Sequence, residues 1–488
     1  MLFGTRSDLE ISPVESRDSR EFVNTVNGSC SEISSIAGAS CQSLSIFYIK
    51  DGHILKDLLF FLHVPRTGGR TYFYCFLKKL YSNSLECPRS YDKLRFDPRK
   101  QNCKLFATHD DYSIMSKLPR EKSSVVTILR NPIDRVFSAY EFSIEVAARF
   151  LVHPNLTSAT KMSGNSGSKK SVISTLDIWP WKYLVPWMRE ELFSRRDARR
   201  RKASPNSYGD DSYNMEEIVT PLHEFINHPV ALDLVHNGAT FQIAGLTNNS
   251  NTWKVHDVRH CVMNYQTLGN YVLEVAKRRL DDMLYVGLTE EHKESATMFA
   301  NLVGAQVISQ LLGTETVNYN KLEQGSLVSK TGFHTSHNQG NNTSIIEEQN
   351  ENISVGKLME TYETCVSKLR STQSKRRMSS LRRIFPANFT KEARRHVPEE
   401  VVKQITLLNS LDVELYKHAE IIFEKQHQKL FDSSMPERWQ IMNGESYIGS
   451  EWEVVCLSLF IFLVLFIFFY PWSHRIRECA RLNLRFLV

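Results

Sequence analysis

Phe60, Phe61, Leu62, His63, Val64, Pro65, Arg66, Thr67, Gly68, Gly69, Arg70, Thr71 is the stretch from which the fold is read. An apolar run stops at Pro65, passes through two glycines and two arginines, and resumes as Tyr72, Phe73, Tyr74, Cys75, Phe76 and Leu77 before Lys78 and Lys79. That order predicts a buried strand, a tight turn and a helix. The first amides of a helix have no intrahelical acceptor, and together with the helix dipole they form an anion site. Gly68 and Gly69 let backbone approach an oxyanion closely, and Arg66 and Arg70 add fixed positive charge. A phosphate or sulfate group is therefore expected between Pro65 and Thr71. A Walker loop does not fit, because the glycines are adjacent and no lysine follows. Taken alone, the segment would serve equally as a plain turn.

A second segment, Val125 to Tyr140, favours the anion site. Val125 to Leu129 is a β-rich run, Arg130 closes it, and Pro132 after Asn131 is placed to open a helix, where its missing N–H is no loss. Ser138 then lies two turns into that helix. Arg130 and Ser138 can converge on one phosphate, although a strand-end arginine is often only a surface ion pair.

Together these segments resemble the 3′-phosphoadenosine-5′-phosphosulfate-binding motifs of sulfotransferases, above all the heparan sulfate 6-O-sulfotransferase group, whose loop reads Lys-Thr-Gly-Gly-Thr-Thr. The resemblance implies that Pro65, Arg66, Thr67, Gly68, Gly69, Arg70 and Thr71 hold the 5′-phosphosulfate, and Arg130 with Ser138 the 3′-phosphate. Two positions depart from the group: its lysine is Arg66 here, and its first threonine after the glycines is Arg70. Arg66 can stabilise developing charge as a planar fork that stays protonated, but it cannot donate a proton. Between the motifs, Leu105 to Tyr112 resembles the group's His-Ala-Asp-Trp segment. That implies His109 as general base, with Tyr112 in the tryptophan position against the acceptor. A histidine with an ordinary pKa near 6.5 suits the role, and its alternative is a structural histidine held by Asp110 or Asp111.

The chain has 488 residues, 60 basic against 54 acidic, for a net charge of +6. That excess is too slight to imply nucleic acid. Residues 1–50 are polar and serine-rich, are expected to be disordered or loosely packed, and show no signal peptide pattern. Residues 51–435 are expected to form one catalytic domain with polar insertions near 154–175, 194–215 and 317–383. Leu176 to Trp187 is an aromatic cluster broken by prolines, read as a loop packed on the core or the lining of an acceptor cleft. The basic run Arg195 to Lys202 is read as a solvated loop. Leu284 to Glu291 resembles the group's strand ending in Val-Gly-Leu-Thr-Glu, and Val402 to Phe423 its closing helix. The expected fold is α/β, a parallel sheet flanked by helices of the nucleotide-kinase-like sulfotransferase type, with ligands at the carboxyl ends of the strands.

Residues 454–472 are almost continuously apolar and long enough to cross a bilayer as one helix. Tyr470 and Trp472 sit at its end, Glu451 and Glu453 precede it, and Arg475, Arg477, Arg481 and Arg485 follow. The positive-inside rule puts residues 473–488 in the cytosol and the large domain in the lumen. Either the sequence begins downstream of the native start, which is the expectation, or the chain is tail-anchored with its domain in the cytosol. Asn-x-Ser/Thr acceptors occur at Asn27, Asn155, Asn248, Asn341, Asn342, Asn352 and Asn388. Seven of the nine cysteines precede the apolar run, none at zinc-ligand spacing; Cys87 and Cys103 bracket a polar loop and can pair.

Arg66 in the loop and a carboxyl-terminal anchor make the whole architecture similar to the plant-type tyrosylprotein sulfotransferases. That resemblance implies a Golgi membrane enzyme that sulfates tyrosines of acidic peptides without a metal. The alternatives are a polysaccharide O-sulfotransferase and a non-catalytic membrane-anchored relative.

Overall fold

The structure is a computed structural model and describes residues 54–81, 85–88, 102–152, 175–202, 213, 215–250, 255–311, 354–384, 387 and 389–434. The expected disordered segment 1–50, the apolar run 454–472 and the tail 473–488 lie outside them. Among the described residues no helix is long and apolar enough to cross a membrane. The chain divides into a unit Met1–Lys425, which carries the sheet and the site, and a unit Gln426–Val488, of which only the end of the helix Ser410–Ser434 is described.

Four strands, β1 (Leu58–Leu62), β2 (Leu105–Thr108), β3 (Ser123–Leu129) and β4 (Tyr285–Leu288), form one sheet in the order β2-β1-β3-β4. Every pair is parallel, with Phe61 opposite both Ala107 and Val126, and Ile128 opposite Gly287. All residues of all four strands are buried, which is why they read as unbroken apolar runs rather than alternating ones. This is the parallel sheet with flanking helices expected from the sequence. From β1 the chain crosses to one side and from β3 to the other, so the strand order reverses between these two neighbours. A crevice opens at the carboxyl ends of such a pair.

After β1 a helical run covers 69–80, α-helical at Gly69–Tyr72, π at Phe73–Leu77 and α-helical again at Lys78–Leu80. After β3, Asn131 caps the helix Pro132–Arg149 by accepting from the amides of Ile133 (3.1 Å) and Asp134 (3.4 Å). The stretch 176–187 is a loop only in its first half: after the 3-10 turn Thr175–Asp177, Trp181–Lys202 is one helix with Pro186 inside it. An interior proline costs about 3 kcal/mol. Buried Trp181, Leu184, Val185 and Met188 outweigh it at roughly 1.5–3 kcal/mol each against the helix Pro132–Arg149. The same helix carries the start of the basic run, where Arg195 pairs with Glu191 and Glu224 rather than lying in a loop.

The polar stretch 317–383 holds the helix Val355–Leu381, whose Tyr362 stacks on Phe76 at 4.0 Å. The expected closing helix is two helices, Glu399–Leu408 and Ser410–Ser434, parted at buried Asn409. Cys87 and Cys103 are disulfide-bonded as anticipated, Cys75 is bonded to Cys365, and Cys261 also forms a disulfide. Asn248, the one acceptor asparagine among the described residues, is exposed.

Candidate active site

The turn after β1 places Arg66 at φ 70° and Gly68 at φ 80°. For an arginine this left-handed conformation costs about 1–2 kcal/mol, so its surroundings must hold it there. Thr67 Oγ1 donates to Val64 O (2.9 Å), and no side chain caps the helix that starts at Gly69. Amides at such a helix start can accept an oxyanion as partner. Gly69 packs against His63: a Cβ there would lie 2.5 Å from His63 Nε2 and 2.9 Å from Phe61 Cζ.

Arg66 is over-determined. Its Nε donates to Ser138 Oγ (3.0 Å), its guanidinium lies 4.2 Å over the Phe142 ring, and its carbonyl accepts from Arg130 Nη1 (3.3 Å). Phe142 is itself backed by Trp181, with ring centroids 4.6 Å apart. Burial lowers Arg66 from its ordinary value to about 10, and the Arg130 charge acts in the same direction, while Glu145 and Glu141 oppose it. Both guanidinium groups stay charged at neutral pH, and an anion seated between them would relieve their repulsion. Arg66 thus touches both Arg130 and Ser138, the pair expected from the sequence to share a phosphate.

His109 follows β2 directly. Its Nδ1 donates to His63 O (2.7 Å), which leaves the lone pair of the neutral ring on Nε2. The His63 and His109 rings are 4.2 Å apart. Burial pulls His109 down to about 4, with the bond to His63 O opposing and the Arg66 charge assisting. Burial, followed by the charges of His109, Arg66 and Arg70, takes His63 well below the usual imidazole value. The neighbouring aspartates accept from other groups. Asp110 accepts from Thr108 Oγ1 (3.0 Å), and Asp111 accepts from the Ser113 amide (3.0 Å) and the Thr247 amide (2.9 Å).

Tyr112 opens the short helical turn Tyr112–Ser116 that follows His109. Its ring lies under the Arg279 guanidinium at 4.4 Å, and burial raises its phenol. The structure therefore gathers Pro65 to Thr71, Arg130, Ser138 and His109 at the ends of β1, β2 and β3, and puts Tyr112 against a different cation. Among the described residues no cluster of His, Cys, Asp and Glu could hold a metal ion.

Four residues of the site carry no expectation from the sequence. Gln242 donates from Nε2 to the carbonyls of His63 (3.3 Å), His109 (2.9 Å) and Asp110 (3.3 Å), tying two strand ends together. Thr289 Oγ1 lies within hydrogen-bond distance of both Thr67 O (2.7 Å) and Leu129 O (2.9 Å), so its single proton is shared between the turn and the end of β3. Glu290 accepts from the Asn131 amide (3.1 Å) and from Tyr416 Oη (2.7 Å), with Arg130 Nε 3.9 Å away. Glu141, three residues after Ser138, accepts from Tyr213, Arg377 and Arg394, which hold it below the usual carboxylate value although burial opposes them. Only Thr289 and Glu290 left a trace in the sequence, in the Val-Gly-Leu-Thr-Glu segment.

No family model matches the chain. It is 56% identical over 445 residues to a protein-tyrosine sulfotransferase of Arabidopsis thaliana, covering 88% of this chain and 89% of that protein. With such identity along nearly all of both chains, and a parallel sheet whose strand ends carry the turn and the histidine described above, the chain belongs to the protein-tyrosine sulfotransferase family of enzymes.

Proposed function

We propose that the protein transfers a sulfuryl group from 3′-phosphoadenosine-5′-phosphosulfate to tyrosine hydroxyls of peptides, by in-line displacement. The observation that carries this reading is the Arg66–Ser138–Arg130 constellation at the β1/β3 switch point, with His109 at the neighbouring strand end. When bound, the donor supplies an activated sulfuryl group with a nucleotide phosphate as leaving group. The amides at the start of the 69–80 helix and the Arg66 guanidinium neutralise the 5′ end, while Arg130 and Ser138 take the 3′-phosphate. Nε2 of His109 accepts the phenol proton as the acceptor oxygen bonds to sulfur, and the sulfur–oxygen bond to the nucleotide breaks. Arg66, a permanent cation, stabilises the departing charge without giving up a proton.

Tyrosine as acceptor rests on the family, since the Arabidopsis relative is a protein-tyrosine sulfotransferase. The disulfides Cys75–Cys365 and Cys87–Cys103 support an oxidising compartment. The resemblance to the plant-type tyrosylprotein sulfotransferases assigns that compartment to the Golgi lumen, with residues 454–472 as the proposed membrane anchor. Incubating the protein with labelled donor, an acidic tyrosine peptide and a desulfated heparan chain tests the assignment. Label is expected on the peptide alone. Label on the glycan alone would replace this reading with polysaccharide sulfation, and label on neither would remove catalysis.

A further inference from the structure

We propose that Tyr416 is a positioning residue for donor recognition: by fixing the Glu290 carboxylate it keeps that acid from capping Arg130, whose Nε is left for the 3′-phosphate. The inference rests on the donor reading above and names what keeps its 3′ end open.

Arg130 lies among acids, yet its Nε is bonded to none of them. The carboxylates whose charges act on it are Asp134, Glu290 and Glu141. Each is engaged elsewhere. Asp134 pairs with Arg394 Nη1 at 3.0 Å, and Glu141 accepts from Tyr213 Oη (2.6 Å) and Arg394 Nε (2.7 Å). Glu290 uses both of its oxygens: Oε1 accepts from the Asn131 amide (3.1 Å) and Oε2 from Tyr416 Oη (2.7 Å). Arg130 Nε lies 3.9 Å from Glu290 Oε1, is buried, and has no hydrogen-bond partner among the described residues. A buried guanidinium N–H is costly to leave unsatisfied, and an anionic oxygen is the partner that suits it.

Glu290 is also the group that could take this place from the donor. An approach of about 1 Å would bring Oε1 into a charge-assisted hydrogen bond with Arg130 and shut out the phosphate. Tyr416 opposes that movement by holding Oε2, and both ends of the restraint are anchored. Thr289, just before Glu290, carries the β3–β4 pairing one residue further with its amide on Leu129 O (2.9 Å). Tyr416 is 9% exposed and stands one turn after Asp412 on the helix Ser410–Ser434, where Asp412 is locked to Arg135 at 2.7 Å. The phenol therefore meets Glu290 from a fixed point 126 residues away in sequence.

The test uses the whole protein and two nucleotides, adenosine 3′,5′-bisphosphate and adenosine 5′-monophosphate, whose affinity ratio measures what the 3′-phosphate adds. In Tyr416→Phe the freed carboxylate turns onto Arg130. Affinity for the bisphosphate is expected to fall about tenfold, while that for the monophosphate stays within about twofold. Adding Glu290→Gln to Tyr416→Phe removes the competing charge and should restore the ratio to within about threefold of the parent's. Glu290→Gln alone should raise the ratio modestly, because a carboxylate beside Arg130 repels an incoming phosphate. A fall in that single variant would make the carboxylate itself the support of Arg130 and overturn the proposal. A merely structural phenol predicts that both nucleotides weaken together in Tyr416→Phe and that the second substitution rescues neither. That pattern overturns the proposal, as does an unmoved ratio in Tyr416→Phe when the parent prefers the bisphosphate; the donor reading survives both results. A parent that binds the two nucleotides equally removes the 3′-phosphate from Arg130 and takes the proposal with it.

Discussion

Arg66 Nε donates to Ser138 Oγ across 3.0 Å, joining the turn after β1 to the helix after β3, 72 residues further on. The bond holds an arginine in a left-handed conformation at the point where charge would develop during transfer. Arg66→Ala is expected to lower kcat/KM by roughly 10²–10³, the effect of losing one oxyanion donor. Arg66→Lys should recover part of that, because an ammonium keeps the charge but neither the fork nor the stack on Phe142. Ser138→Ala should chiefly raise the donor KM, by about tenfold or more. Steady-state sulfation kinetics with varied donor separates the three variants, and equal losses in Arg66→Lys and Arg66→Ala would count against a role for charge at this position.

His109→Ala should cut kcat by roughly 10²–10⁴ while adenosine 3′,5′-bisphosphate still binds. A parallel loss of nucleotide binding would make His109 a structural residue. Because burial holds the His109 imidazole down to about 4, the free enzyme should keep its base unprotonated to low pH, and the acid limb of kcat/KM is expected near that value.

Stability carries the same sign. His63 and His109 both titrate below the unfolded imidazole value of about 6.5. On acidification the unfolded chain takes up these protons first. Their contribution is complete above about pH 6.5 and is lost as the pH falls through the folded values, at about 1.4 kcal/mol per unit of difference for each group. The urea midpoint should therefore fall between pH 7 and pH 5. A His63→Gln/His109→Gln variant should show a flatter dependence, and an unchanged slope would reject the assignment.

Gly69→Ala and Gly68→Ala should differ in kind. The Gly69 Cβ would lie 2.5 Å from His63 Nε2, so relief requires the histidine or the turn to move, and donor binding should be lost. At Gly68 the nearest atom is Thr289 Cγ2 at 3.8 Å, so the cost is the left-handed backbone alone, about 1 kcal/mol. Calorimetric titration with adenosine 3′,5′-bisphosphate compares the two. Equal affinities would mean that close packing at Gly69 does not shape the anion site.

The parts of the site that were legible in the sequence are those encoded locally. Leu58–Leu62 and Ser123–Leu129 announce buried strands by unbroken apolar runs, and Pro65, the glycine pair and Pro132 mark where each strand turns into a helix. His109 was legible because it ends a third such run. What could not be read depends on packing between distant segments. Gln242 lies 133 residues from His109, Thr289 lies 222 from Thr67, and Cys365 lies 290 from Cys75. Helical periodicity was obscured in Trp181–Lys202 by Pro186. It was obscured in Val355–Leu381 by a nearly all-polar surface around the buried Leu358, Tyr362 and Val366. The contact of the Tyr112 ring with Arg279, 167 residues away in sequence, is another such long-range pairing.

The most distant support of the site is Asp412. Its carboxylate pairs with Arg135 at 2.7 Å, both side chains 1% exposed, and accepts from the amides of Ala239 (3.2 Å) and Thr240 (2.7 Å) at the start of the helix Gly238–Ile243. That helix presents Gln242 to the carbonyls of His63 and His109. Asp412→Ala leaves the Arg135 charge buried without its partner, a loss of about 3–5 kcal/mol, and frees the amides that orient Gln242. The melting temperature should fall by several degrees, and kcat should drop with it under conditions where the variant remains folded. Gln242→Leu should reproduce the fall in kcat with a smaller loss of stability, since it cuts only the last link. If Asp412→Ala lowers stability while kcat of the folded fraction is unchanged, the ion pair holds the core without reaching the histidines.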